Sequence, residues 1–421
     1  MNLLKTSALN GIAVLIRTAT SFVLNKLLAI YVGPGGYALI GQFQNFIQII
    51  TSFAGGSINT AVVKYTSQYH SEPDRQRVVW RTAGTLILIF SLIVSLLIVI
   101  FQKNLSIYIF KSTEYQSIFP VFAVFLVFFN LNALFLAILN GKKEILKLVI
   151  ANIAGSLLSL GLTGFLAVQY RIYGALLALS INQSIIFFVT LFLCYKSDWF
   201  KLSYLFGKID KATANKFIGF VLMALTSALI VPVSQILIRN HLAVEFDVEH
   251  AGYWEAMTRL SGSYLMLITT TLSVYYLPKL SELRLYQDIK KEIVIGYKFI
   301  LPLTALASFM VYLLKDQIIL ILFTTSFAPM RDLFVWQMIG DTLKIGSWLV
   351  GYLMISKAMT KLFIFSEITA TISLLLLTYV FTKRFGFEGV SMAYMTNYAL
   401  YWALISYPVF NNLNKTEKPD D

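Results

Sequence analysis

Charge is scarce in this chain, and acidic charge more so. Only 13% of the 421 residues are charged, with 21 acidic residues against 34 basic ones and a net +13. A soluble domain carries roughly 25% charged residues, so a water-facing globule is excluded. The single cysteine, Cys194, leaves no intramolecular disulfide to form. The three histidines, His70, His241 and His250, fall in predicted loops without a partner at metal-ligand spacing, so no metal centre is expected. No phosphate-binding loop of the GxxxxGKS/T type occurs, which excludes ATP hydrolysis by this chain. The glycines of VGPGG (32–36) belong to a turn, and EFDVEH (245–250) reads as a solvated acidic loop. Nothing here points to an enzyme or to a bound cofactor.

What remains is apolar. Hydrophobic residues make up 57% of the chain and aromatic residues 15%, with a mean hydropathy of +0.72. A spanning helix needs about 20 mostly apolar residues. Twelve stretches qualify: 6–31, 38–63, 79–101, 117–139, 147–168, 172–195, 214–238, 251–277, 293–314, 332–355, 361–382 and 388–410. The expected fold is an all-α polytopic membrane protein, and the N-terminal stretch reads as a retained span. With the N-terminus in the cytoplasm, 21 of the 34 lysines and arginines fall in cytoplasmic segments and eight on the other side. That bias predicts both termini inside. It also explains the net charge without nucleic acid.

The stretch GGYALIGQFQNF (35–46) has a counterpart in AGYWEAMTRLSG (251–262), about half a chain later. A basic cytoplasmic loop follows each of the two spans. The expected organisation is an N-terminal lobe of six helices (1–200), a C-terminal lobe of six (201–412) and a polar tail (413–421). Transporters are often built from such repeats.

Five basic residues lie inside spans, where topology does not explain them: Arg17, Lys26, Arg259, Lys298 and Lys344. Three acids do the same: Glu255, Asp341 and Glu367. A charge at mid-bilayer costs about 3 kcal/mol on insertion scales, so these groups mark a wet interior. Gln337, Asp341, Lys344 and Trp348 share one face of the tenth span, with Asp341 and Lys344 spaced to pair across a turn. Gln44, Gln48, Ser52, Gly55 and Asn59 form a polar stripe along the second span, suited to a hydrated wall that meets hydroxyls. Glu255 stands one turn before Arg259 in the eighth. Lys298 is near enough to the surface to snorkel.

The interior is therefore electropositive and lined with amides and hydroxyls. Guanidinium and ammonium groups suit phosphate, and the amides and aromatic rings suit sugars. A lipid-linked oligosaccharide satisfies both requirements. At KYTSQYH (64–70), SVYYLPKLSEL (273–283) and FAPMRDLFVWQMIGDTLKIGSWLVGYLMISKA (327–358), together with Arg17 and Lys26, the chain resembles the Wzx-type flippases of the multidrug/oligosaccharidyl-lipid/polysaccharide exporter superfamily. The resemblance spans the whole chain. It implies two six-helix lobes around a central cavity, alternating access, and a bacterial inner-membrane location. It implies as substrate an undecaprenyl-pyrophosphate-linked oligosaccharide, an O-antigen or enterobacterial common antigen repeat unit, whose lipid tail stays in the bilayer. A polymerase and a chain-length regulator of the same pathway are the implied protein partners. Arg17, Lys26, Arg259 and Lys344 would hold the pyrophosphate. Gln44, Gln48, Ser52, Asn59, Gln337 and Trp348 would meet the glycan, and Asp341, Glu255 and Glu367 would couple flipping to protons or sodium. A multidrug antiporter of the same superfamily is the alternative, but its cavity would carry more acids than bases.

Overall fold

In the computed structural model, which describes residues 3–283, 285–357 and 359–417, the described chain is helical almost throughout. It divides into two compact units, Met1–Val233 and Ser234–Asp421. The first holds α1 (Leu3–Tyr31), α2 (Gly33–Phe53), α3 (Asn59–Gln68), α4 (Pro73–Ile100), α5 (Gln102–Phe110), α6 (Ile118–Gly141) and α7 (Ile145–Tyr195). Helix α8 (Lys211–Glu245) runs across the boundary. The second unit continues with α9 (Val248–Thr271), α10 (Leu277–Glu282), α11 (Tyr286–Leu313), α12 (Lys315–Leu322), α13 (Phe334–Ser356), α14 (Thr360–Phe385) and α15 (Gly389–Glu417).

By length and composition, six segments among the described residues can cross a membrane, or seven if the bent α2–α3 pair is one span. Two of the six are 51 and 52 residues long, more than twice what one pass requires. Both fold back on themselves by the same device. In α7 the helix breaks at Arg171 (φ 50°, ψ −126°). Between α14 and α15 it breaks at Gly386 (φ 70°, ψ −152°). Three residues after each break stands a glycine with no room for a side chain. A Cβ on Gly174 would lie 1.9 Å from Leu166 O, and one on Gly389 would lie 2.3 Å from Phe381 O. The two hairpins are offset by 215 residues, nearly the spacing of the sequence repeat. The repeat is thus present in the backbone as well as in the side chains.

The second span is not one helix. α2 ends at Phe53, Gly55 takes φ 109°, and a short 3-10 turn, Gly56–Ile58, leads into α3 at an angle of 65°. The proposed stripe from Gln44 to Asn59 is therefore interrupted. Gln44, Gln48 and Ser52 lie on α2, whereas Asn59 opens α3 beyond the bend. The break frees carbonyl groups at the end of α2. One of them, Ala54 O, accepts from Ser91 Oγ (3.0 Å) and Asn130 Nδ2 (3.2 Å), which anchors the bend to α4 and α6. Below it, Trp80, Leu134, Phe135, Ile138, Phe187 and Cys194 form the core of this unit.

The 196–210 connection is strapped to α4 through Thr85 and Thr82, which bond Gly207 and Asp210. Asp210, at the start of α8, accepts from Thr213 Oγ1 (2.7 Å) and Thr213 N (2.8 Å). Those two bonds hold the Asp210 carboxyl below its ordinary value. The capping contribution is therefore present above the usual carboxylate range and lost as pH falls through the lowered value. In the second unit, α13 packs between α11 and α15. Its core joins Leu349, Val350, Leu353 and Met354 to Ile289, Ile293, Tyr401 and Ile405.

Two glycine substitutions separate backbone strain from crowding. Gly33 has φ 70° with open space beside it, whereas a Cβ on Gly55 would sit 2.8 Å from Ile87 Cγ1. Gly33→Ala should cost about 1 kcal/mol, the price of a left-handed residue alone. Gly55→Ala should cost clearly more, so its thermal unfolding midpoint in detergent should lie below that of Gly33→Ala.

Candidate functional site

Several buried polar groups of the C-terminal unit gather around Asp341. Asp341, on α13, is fully buried, and its donors come from three helices. Tyr264 of α9 donates to Oδ2 at 2.7 Å, and Tyr394 of α15 donates to Oδ1 at 2.9 Å. Gln337, one turn earlier on α13, donates to Oδ1 at 3.2 Å. The same Gln337 amide also donates to Ser261 Oγ at 3.1 Å. Gln337 is therefore a buried member of the network.

Asp341 and Lys344 do not pair. Among the described ion pairs none joins them. Lys344 Nζ lies over the ring faces of Trp348, Tyr398 and Tyr394, at 5.1, 5.6 and 5.9 Å from the centroids. Tyr394 serves both charges: its hydroxyl feeds the carboxylate and its ring faces the ammonium. A cation over an aromatic face gains about 0.5 to 2 kcal/mol, most when desolvated. Trp348 is thus placed beside Lys344, as its helical spacing required, in an aromatic cage that α15 completes. Tyr401, on the same helix, donates to Glu367 Oε1 at 2.6 Å.

A second cluster sits where α8 meets α9. Glu255 is buried and accepts from Arg239 Nη1 (2.6 Å) and Arg259 Nε (2.7 Å). Both carboxylate oxygens are thereby held by guanidinium groups, so Glu255 is a fixed counter-charge. Arg239 lies one residue past the apolar stretch 214–238. It is in fact helical, and its side chain is only 2% exposed. The apolar run that precedes it ends too early by count, and only the length of α8 brings Arg239 inside. Trp254 links this cluster to the Asp341 site, donating to Gln235 (3.2 Å) and lying edge-on to the Tyr394 ring at 6.1 Å between centroids.

In the N-terminal unit, Arg17 is exposed and Lys26 half-buried on α1, while Gln48 is exposed and Gln44 and Ser52 are half-buried on α2. Asn59 keeps its Oδ1 buried at the bend. His241 and His250 are helical rather than in loops. His241 Nε2 bonds Thr382 Oγ1 (2.8 Å), and His250 Nδ1 bonds Asp247 (2.8 Å). Among the described residues no group of three His, Cys, Asp or Glu could hold a metal.

Two substitutions test the network. Glu255→Ala removes the carboxylate that both guanidiniums share and should cost about 3 to 5 kcal/mol. Tyr394→Phe keeps the ring for Lys344 but removes a donor from Asp341, and should cost about 1 to 3 kcal/mol. Both should appear as lowered unfolding midpoints of the full-length protein in detergent, with Glu255→Ala the lower.

Comparison with known proteins places this architecture. Residues 3–284 match the family of polysaccharide biosynthesis proteins. The chain is 34% identical over 409 residues to the lipid III flippase of Escherichia coli (strain K12), covering 96% of this chain and 97% of that protein. The Shigella flexneri lipid III flippase matches to the same extent. Among solved structures, an inward-facing multidrug resistance MATE family transporter of the MOP superfamily superposes with a TM-score of 0.77. It has 14% identity and covers 96% of this chain and 100% of that one. The lipid II flippase MurJ, in its inward closed conformation, gives 0.75 at 14% identity, covering 99% and 94%. On the family match and the full-length identity together, the chain belongs to the polysaccharide biosynthesis protein family, as a multi-span membrane protein with the MOP superfamily fold and not an enzyme.

Proposed function

We propose that the protein is a flippase that moves an undecaprenyl-pyrophosphate-linked oligosaccharide, an O-antigen or enterobacterial common antigen repeat unit, from the cytoplasmic to the periplasmic leaflet of the bacterial inner membrane. The observation that carries the reading is the 34% identity to lipid III flippases along 96% of the chain. The excess of basic over acidic groups within the spans supports it. In this reading the chain crosses the bilayer twelve times with both termini in the cytoplasm, in an N-terminal lobe (1–200) and a C-terminal lobe (201–412).

Unaided flipping is blocked by the cost of carrying a diphosphate and several sugars through hydrocarbon. The protein replaces water around both. Arg17, Lys26, Arg259 and Lys344 are the diphosphate ligands. Arg259 shares Glu255 with Arg239, and Lys344 is held by rings rather than by a carboxylate, so an incoming anion does not have to break an ion pair to reach Lys344. Gln44, Gln48, Ser52 and Trp348 contact the glycan. Asp341 and Glu367, each held by tyrosine hydroxyls, are the groups that couple flipping to a proton or sodium gradient through alternating access. Glu255 contributes as the counter-charge that positions Arg259.

In proteoliposomes loaded with a fluorescent undecaprenyl-pyrophosphate oligosaccharide, Arg17→Ala and Lys344→Ala should each slow flipping at least about tenfold, the kinetic equivalent of 1.4 kcal/mol. Lys344→Arg should retain more activity than Lys344→Ala. Wild-type rates in both alanine variants would remove the anion site.

A further inference from the structure

We infer that the end of the N-terminal unit where α3, α4 and α8 meet binds the headgroup of an anionic phospholipid, its phosphate held by Lys64 and Lys216 on a platform of Tyr65 and Tyr69. The surface lies wholly within the N-terminal unit. It shares no residue with the diphosphate ligands named above and does not rest on the flippase reading.

The sequence sets the two lysines at the ends of apolar stretches. Lys64 directly follows 38–63, and Lys216 is the third residue of 214–238. In a membrane protein that is the level where hydrocarbon gives way to headgroups. Tyrosine suits the same level, with an apolar ring and a polar tip.

Folding gathers these residues from three helices. Tyr65 and Tyr69 stand one turn apart on α3, with ring centroids 6.1 Å apart and planes 19° from parallel. Lys64 Nζ lies 5.3 Å from the Tyr65 centroid, and Lys216 Nζ, from α8, lies 5.9 Å from the same point. Lys216 Nζ also donates to Tyr69 Oη at 3.4 Å. Arg75, from α4, covers the Tyr69 ring at 5.6 Å and pairs with Glu72 at 2.9 Å. Both lysines are exposed, and both rings are half-buried.

Lys216 is held without a dedicated carboxylate. Among the described ion pairs none includes it. Asp210 is within electrostatic reach of Lys216, but equally of Arg81, and its Oδ2 takes both bonds from Thr213. A ring face orients an ammonium and leaves its N–H groups to be donated. A phosphate oxygen is a stronger, charge-assisted acceptor. The platform therefore fixes where the two ammonium groups stand and lets an anion take their protons in hydrogen bonds. Basic groups at a membrane surface select anionic lipid headgroups by this attraction.

The neighbouring surface fits a lipid better than a soluble phosphate. Tyr65 packs on Phe217 at 6.2 Å between centroids, and Ile218, two residues past Lys216, is 55% exposed. An acyl chain beside the headgroup would cover that apolar surface.

Equilibrium binding of radiolabelled dioctanoyl phosphatidylglycerol to the purified full-length protein in detergent tests this directly. Wild type should bind saturably. Unlabelled phosphatidylglycerol should displace the label, where dioctanoyl phosphatidylcholine and glycerol 3-phosphate at the same concentration do not. Tyr65→Leu, which leaves the charge unchanged, should weaken binding at least fivefold, and Tyr65→Phe, which keeps the ring, should stay within twofold of wild type. Lys216→Gln should weaken binding at least fivefold. Lys208→Gln, which removes an exposed lysine of the 196–210 connection, should stay within twofold. If Tyr65→Leu fails to fold, the contrast between Lys216→Gln and Lys208→Gln decides. Absence of saturable binding would overturn the inference. Equal losses in the two lysine variants would mean diffuse surface charge, and displacement by glycerol 3-phosphate would mean a site for soluble phosphate; either would overturn it equally. None of these results bears on the flipping assay, which rests on Arg17 and Lys344.

Discussion

A buried carboxylate is shielded from water, so its hydrogen-bond donors must be built into the protein around it. The C-terminal unit is arranged on this constraint. Asp341 draws donors from α9, α13 and α15, Glu255 from α8 and α9, and Glu367 from α15. Each acid thereby ties together helices that apolar packing alone would leave free to slide. Interhelical hydrogen bonds in membranes are worth only about 0.6 kcal/mol each on average. Their effect here is directional: they fix which residues of α13 and α15 face one another.

The same constraint separates charge from charge. Had Asp341 and Lys344 paired, both would be spent on each other. Tyr394 instead satisfies the acid with its hydroxyl and the base with its ring. The Lys344 side chain is caged by aromatic faces, which attract cations weakly compared with a carboxylate. Around Glu255, two guanidiniums share one acid. In both places the buried charges are held by partners from neighbouring helices.

Backbone interruptions complete the design. Arg171 with Gly174, and Gly386 with Gly389, make the same hairpin 215 residues apart. The two units thus repeat a motif whose defining feature is the absence of a side chain at one close approach. Gly55 and Gly56 interrupt α2 without a counterpart of that kind, and the carbonyls they release are met by Asn130 and Ser91.

The sequence by itself determined the class of protein, the helical segments and the residues that could not face lipid. Apolar runs and scarce charge are local properties, and a bilayer responds to them one span at a time. Asp341, Lys344, Glu255 and Arg259 were legible for that reason, and so was the internal repeat, since its glycines and aromatics recur at a fixed spacing. Only the tertiary structure decided who pairs with whom. Helical spacing offered Lys344 to Asp341, but Tyr264 and Tyr394 arrive from helices 77 and 53 residues away. Arg239 falls just outside the apolar stretch 214–238, and its burial depends on how far α8 extends. The stripe from Gln44 to Asn59 looked continuous because periodicity does not register one glycine with φ 109°. Donors, cages and bends are long-range or single-residue events, and a pattern read along the chain averages over both.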